Sequence, residues 1–123
     1  MSYADIFVVP VSRQNIAAYR EQAEIFVPVW RENGALSCVE LEADDVPSGR
    51  LTSFPQSVDL RPDEEVFIGI ATYASRAQRD EVNARAMKDP RLTGISSMAF
   101  DGKRMFIGGF KSFVGDLNSS AAR

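Results

Sequence analysis

The chain has 123 residues, 45% of them hydrophobic and 25% charged, with a formal net charge of −3 and a pI near 4.9. That length allows one domain with a real core and falls short of two, while the acidic balance disfavours a bare phosphate backbone as partner. There is no histidine and only one cysteine, Cys38, which excludes imidazole triads, His-ligated haem, His-containing zinc sites and any intrachain disulfide.

No cofactor is expected and no metal ligand is assigned, while an oxygen-ligand site for Mg²⁺ or Ca²⁺ stays open. The absence of a basic-plus-apolar leader and of a long apolar run points away from a membrane and toward a cytoplasmic, bacterial-style protein.

Tyr3 to Val11 alternates and is rich in aromatic and β-branched residues, which predicts a strand. Tyr3, Asp5, Phe7, Val9 and Val11 share one face, and Ala4, Ile6 and Val8 take the other. Asp5 is the one charge in that pattern. A carboxylate turned inward needs a partner, so the simpler expectation puts Asp5 near a sheet edge in water, with a site role as the alternative.

Ser12 is placed as an N-cap. From Gln14 to Asn33, the residues Ile16, Tyr19, Ala23, Phe26 and Trp30 recur at threes and fours, predicting an amphipathic helix. Pro28 predicts a kink or break within it, and Asn33-Gly34 its end.

Ala35 to Ala43 reads as a strand whose Leu36/Cys38 face turns polar at Glu40 and Glu42. Asp44 to Arg50 is a loop on turn chemistry. Leu51 to Leu60 reads as a short edge strand broken by Pro55, and Arg61 to Glu65 as a charged turn. Val66 to Tyr73 is a central strand, with Val66, Ile68 and Ile70 on one face and Phe67, Ala71 and Tyr73 on the other.

Ser75 and Gln78 fit a capping box for a helix that runs to about Lys88, with Ala77, Val82, Ala86 and Met87 turned inward. Asp89-Pro90 stops it. Arg91 to Met98 reads as a helical turn and loop, and Asp101-Gly102 as a turn. Met105 to Phe113 is apolar on both faces and reads as a further central strand. Residues 1–115 are expected to form one domain and 116–123 a flexible tail.

This β-α-β-β-α-β order predicts an α+β, ferredoxin-like antiparallel sheet with both helices on one face. The strands are apolar on both faces and two helices cover only one. The other is expected to meet a second copy of the chain, making a homodimer through the sheet face.

Met105 to Phe110 resembles the first-strand motif of RNA-recognition-motif domains. Too little chain follows it to complete such a domain, and Glu64-Glu65 stand before an aliphatic run where stacking aromatics belong. Nucleic acid is therefore not expected as a partner. Glu40, Glu42, Asp44 and Asp45 offer carboxylates, for which a solvated acidic stretch is the simpler reading. Arg79, Asp80, Asn83 and Arg91 are read as ion pairing at the surface rather than an anion site. Without histidine, Tyr73, Asp5 or Glu40 would carry any proton transfer. With Trp30, they make the candidate ligand-binding set.

The string Asp44-Asp45-Val46-Pro47-x-Gly49, the helix end Lys88-Asp89-Pro90-Arg91, and Phe100-Asp101-Gly102-Lys103-Arg104-Met105 with Gly108-Gly109-Phe110 together resemble the bacterial YbaA-like family, a domain of unknown function. The resemblance spans nearly the whole chain except the tail, and it implies a dimeric α+β barrel and no established activity. Related barrels include cofactor-free oxygenases and isomerases, which is analogy of fold alone. The expectation for function is a small molecule held in the helix–sheet crevice, with a cofactor-free enzyme as one form of it. The alternative is a non-catalytic ligand-binding or stress-related module.

Overall fold

The computed structural model describes residues 2–117, so most of the expected tail, 118–123, lies outside the described residues. Strands β1 (Tyr3–Ser12), β2 (Ser37–Glu42), β3 (Glu64–Tyr73) and β4 (Phe106–Lys111) form one sheet in the order β2-β3-β1-β4, with every neighbouring pair antiparallel. Helices α1 (Ile16–Glu32), α2 (Phe54–Ser57), α3 (Arg76–Ala86) and α4 (Pro90–Thr93) connect them. This is the ferredoxin-like α+β arrangement. Among the described residues, no helix is long and apolar enough to cross a membrane.

β1 and β3 take the middle because each is apolar on both faces. They pair along their whole length, Tyr3 opposite Tyr73 and Val9 opposite Phe67. The reading of Met105 to Phe113 as a central strand does not hold. β4 is shorter, pairs with β1 alone and forms an edge, and its Phe106, Ile107 and Phe110 are exposed. A strand can be apolar on both sides at an edge when each side borders something still open.

Helix α1 begins after a 3-10 turn at Arg13–Asn15, and Ser12 makes no side-chain cap. Pro28 does not break the helix, which continues to Glu32. The carbonyl that Pro28 leaves free belongs to Glu24, an exposed residue where solvent takes its place, while buried Tyr19 and Val29 hold the helix to the sheet. Gly34 then turns the chain at φ +122°, a conformation that side chains resist.

The stretch around Pro55 is helix α2, not an edge strand. Ser53 Oγ accepts from the Gln56 backbone N–H at 3.2 Å, and Pro55 sits in the first turn, where a missing N–H costs nothing. Val58, just beyond, is buried against Val8 and Val66 on the face opposite α1 and α3. The chain thus covers one end of that second face itself.

In α3, Ser75 caps as expected, with Oγ accepting from the Gln78 N–H at 3.1 Å. Val82 and Ala86 are buried, whereas Ala77 and Met87, expected inward, are exposed.

Glu64, expected in a charged turn, instead opens β3 and is buried. Arg104 grips it with two bonds, Nη1 to Oε1 at 2.8 Å and Nη2 to Oε2 at 2.6 Å. The same guanidinium donates to Asp101 Oδ2 at 2.9 Å and to the carbonyls of Val58 and Asp59 at 3.2 and 3.0 Å. Asp59 has φ 49°, and Arg104 helps hold that backbone in place. One side chain therefore ties the loop before β4 to α2 and to the start of β3.

Candidate functional site

On the helix side, the sheet is laid out in rows across the strands. Tyr3 and Tyr73 face each other in the first row. Cys38, Ala71, Asp5 and Gly109 make the second, and Glu40, Gly69, Phe7 and Ile107 the third. Rows lie about 7 Å apart along the strands and neighbours within a row about 5 Å apart. The middle of the second and third rows is small: Ala71, and Gly69 with the Phe7 ring lying over it where a side chain would collide. Small residues under a helix leave a hollow.

The hollow is a cavity of about 580 Å³. Phe7 and Ala71 form its floor, and Tyr19, Phe26 and Trp30 of α1 reach it from above. Leu92, Ile95, Met98, Phe100 and Met105 wall one side. Asp5, Trp30, Glu40 and Tyr73, the four residues singled out from the sequence, all border this one space.

Asp5 is not at an edge in water. It sits on inner strand β1, buried, and Arg79 of α3 donates from Nη1 to Oδ1 at 2.5 Å. Arg79 also lies over the Tyr3 ring, 5.0 Å from its centroid, and donates to Asp80. A carboxylate in so apolar a face is tolerable only with such a partner. Arg79 is thus an ion-pair residue, as is Arg91, which bonds Asp89 and Glu32.

Glu40 accepts a hydrogen bond from the Tyr19 hydroxyl at 2.5 Å. Burial lifts the Glu40 carboxyl above its ordinary range, against the opposing pull of that bond. Burial, the bond and the neighbouring charge of Glu40 push the Tyr19 phenol far upward. Both residues also border a groove of about 450 Å³ between α1 and β2, so the pair stands between groove and cavity. Cys38 is pushed up to about 11 by burial and then by Glu40, which keeps it a protonated thiol and a poor nucleophile.

Trp30 donates from Nε1 to Asn83 Oδ1 at 3.0 Å and meets Phe26 edge-on, with centroids 6.3 Å apart. Tyr73 is 0% exposed, and its hydroxyl has no hydrogen-bond partner among the described residues. Burial raises the phenol first, then the charges of Asp5 and Cys38, while Trp30 and Arg79 oppose. Tyr73 is itself part of the cavity lining.

Glu42, Asp44 and Asp45 are exposed. Among the described residues no group of carboxylates and cysteine gathers as a metal site. What the arrangement offers is an apolar chamber with a few polar groups, most of them already paired.

Sequence reasoning missed Tyr19 as the partner of Glu40, Arg79 as the partner of Asp5, and the wall from 92 to 105. The wall left a trace: Leu92, Ile95 and Met98 recur at threes in a stretch read as a helical turn and loop. The two pairings left none, since both join residues far apart in the chain.

Known proteins resemble this one closely in sequence and more distantly in fold. The chain is 44% identical over 115 residues to the uncharacterized protein YbaA of Escherichia coli K12, covering 93% of this chain and 98% of that one. The same figures hold for YbaA of Shigella flexneri. Among solved structures, a dimeric ferredoxin-like protein from an uncultured marine organism matches with a TM-score of 0.55 at 10% identity, covering 94% of this chain and 98% of its own. Rv0793 from Mycobacterium tuberculosis matches with a TM-score of 0.52 at 15% identity, over 97% and 100% of the two chains. Likeness at that identity concerns the fold alone. The family model for a protein of unknown function, DUF1428, matches residues 2–102, and the chain belongs to that family.

Proposed function

We propose that this protein is a cytoplasmic homodimer that binds a small molecule in the cavity between α1 and the sheet of each subunit. The observation that carries the reading is the cavity itself. Its volume of about 580 Å³ falls within the range of small-molecule sites, and its lining is mainly aromatic and aliphatic with few convergent polar groups. The dimer is supported by Val39, Leu41, Phe106 and Phe110, exposed together on the open face of the sheet, and by the description of the marine neighbour as dimeric. A lone protonated thiol at Cys38 suits a reducing compartment. If the bound molecule reacts, Glu40 with Tyr19 is the pair suited to move a proton, because its carboxyl is held above the ordinary range.

The test uses a hydrocarbon probe, 2-ethylnaphthalene, and the chain's single tryptophan. Trp30 borders the cavity, so its one indole N–H resonance reports occupancy. The probe is expected to shift that resonance saturably and to raise the melting temperature. Ala71→Phe, which fills the floor, is expected to abolish both effects while leaving a folded protein. A Trp30 signal that never moves, or that moves equally in Ala71→Phe, would remove the reading.

A further inference from the structure

We propose that the ligand is an uncharged, flat, largely apolar ring compound carrying one hydrogen-bond acceptor, and that the Tyr73 hydroxyl is the donor that meets it. This deepens the cavity reading above and rests on it.

Three observations converge. The first is the orphaned hydroxyl. Tyr73 is fully buried, and its O–H has no partner among the described residues. A buried donor left unmade is costly, and native structures keep one only where something else completes it. Tyr73 itself borders the cavity, as do Asp5, Cys38 and Trp30, three of the four side chains that act on its phenol; the fourth is Arg79, which is paired with Asp5. The cavity is thus the space from which a partner can complete the bond. Burial keeps the phenol protonated, so it donates.

The second is the charge of the chamber. Among the described residues no lysine or arginine borders it, and Arg79, the guanidinium bound to the lining Asp5, is spent on Asp5 and Asp80. An anionic ligand would meet Asp5 and Glu40 with no free cation among the described lining residues to offset them. Carboxylates, phosphates and nucleotides are therefore poor fits, because an unpaired charge in such a chamber is expensive. The third is shape. The Phe7 ring lies over Gly69, and Phe26, Trp30 and the small Ala71 border the same space. Rings above and below a small floor suit a planar body.

The experiment compares three probes of one shape: 2-acetylnaphthalene, 2-ethylnaphthalene and 2-naphthoate. They are titrated calorimetrically and through the Trp30 indole N–H. The ketone is expected to bind roughly five- to tenfold tighter than the hydrocarbon, about the effect of one neutral buried hydrogen bond. The carboxylate is expected to bind more weakly than both. In Tyr73→Phe the ketone's advantage should vanish while the hydrocarbon binds as before. The ligand-free variant should melt no lower than wild type, since the hydroxyl it loses has no partner.

Equal binding of ketone and hydrocarbon, preferred binding of the carboxylate, or a Tyr73→Phe protein that melts markedly lower would each overturn the assignment while leaving the cavity reading intact. If none of the three probes moves Trp30, both readings fall.

Discussion

A glutamate in place of Leu41 or Phe110 is expected to turn the protein into a monomer that remains folded. Both side chains stand on the sheet face away from α1 and α3, and both are already exposed in the subunit, at 45% and 59%. Their replacement therefore removes nothing from the subunit's own core. Val39 and Phe106 lie on the same face, and half-buried Ile6, Ile68 and Ile70 run between them. A contiguous apolar patch of this kind is rare on monomers, and a two-fold contact covers it on both copies at once. A stable interface buries about 1,200–2,000 Å² in total. A single charge placed within it has no partner and is expected to weaken association by several orders of magnitude, through the cost of burying an unpaired carboxylate. Sedimentation at low micromolar concentration should give wild type at twice 13.6 kDa and each variant at once that mass, with unchanged circular dichroism. A monomeric wild type, or dimers that ignore both glutamates, would rule out the sheet-to-sheet contact.

Arg104→Met is expected to lower stability by about 3 kcal/mol, or roughly 10 °C in melting temperature at fixed protein concentration. The loss comes from what stays behind. Glu64 is buried, and among the described residues its two oxygens keep only the Arg61 backbone N–H as donor once the guanidinium is gone. The carbonyls of Val58 and Asp59 lose a donor too. Adding Glu64→Gln removes the stranded charge and should recover part of the loss, leaving the carbonyl share; full additivity of the two changes would show that the pair does not interact.

The pair also sets a pH dependence. The hydrogen bonds from Arg104 hold the Glu64 carboxyl below its ordinary value. Its stabilisation is therefore present above the unfolded pKa of about 4.3 and is lost as pH falls from there through the lower folded value. Wild type should thus lose its advantage over Arg104→Met as the medium is acidified through that window. A constant difference down to strongly acid pH would contradict it.

The sheet was legible because alternation survives in β1 and β3 whatever surrounds them, and the caps at Ser75 and Gly34 are local signals. The segment around Pro55 misled because proline forbids an inner strand and equally suits a first helical turn; the Ser53–Gln56 spacing that decides between them was there to be used. β4 misled because two-sided apolarity marks a covered strand only when both neighbours are known.

The candidate site divides along the same line. Glu40, Asp5 and Tyr73 stand out as polar interruptions of apolar strands, which is visible in sequence. What holds them is not, because Tyr19, Arg79 and Trp30 reach them only through the crossing of helix on sheet. Several motifs that mark the family turn out to be fasteners. Arg104 binds Glu64, Asp89 caps α4, and Arg91 ties α4 to Glu32 of α1. They carry the fold and say little about what the cavity holds.

β1 is the strand on which the sheet closes, and its outer side is matched by β4. Ser112 donates its backbone N–H to the Ser2 carbonyl at 2.9 Å, and the two residues are 110 positions apart. During synthesis, β1 can pair with β3 long before β4 exists, so one row of its amides waits unpaired beside an apolar face. Such an intermediate is open to strand exchange with another nascent copy. The late, long-range pairing also makes for slow refolding. The topology that places a cavity over the middle of the sheet thus gives the growing chain a period of exposed edge, during which a folding helper has something definite to hold.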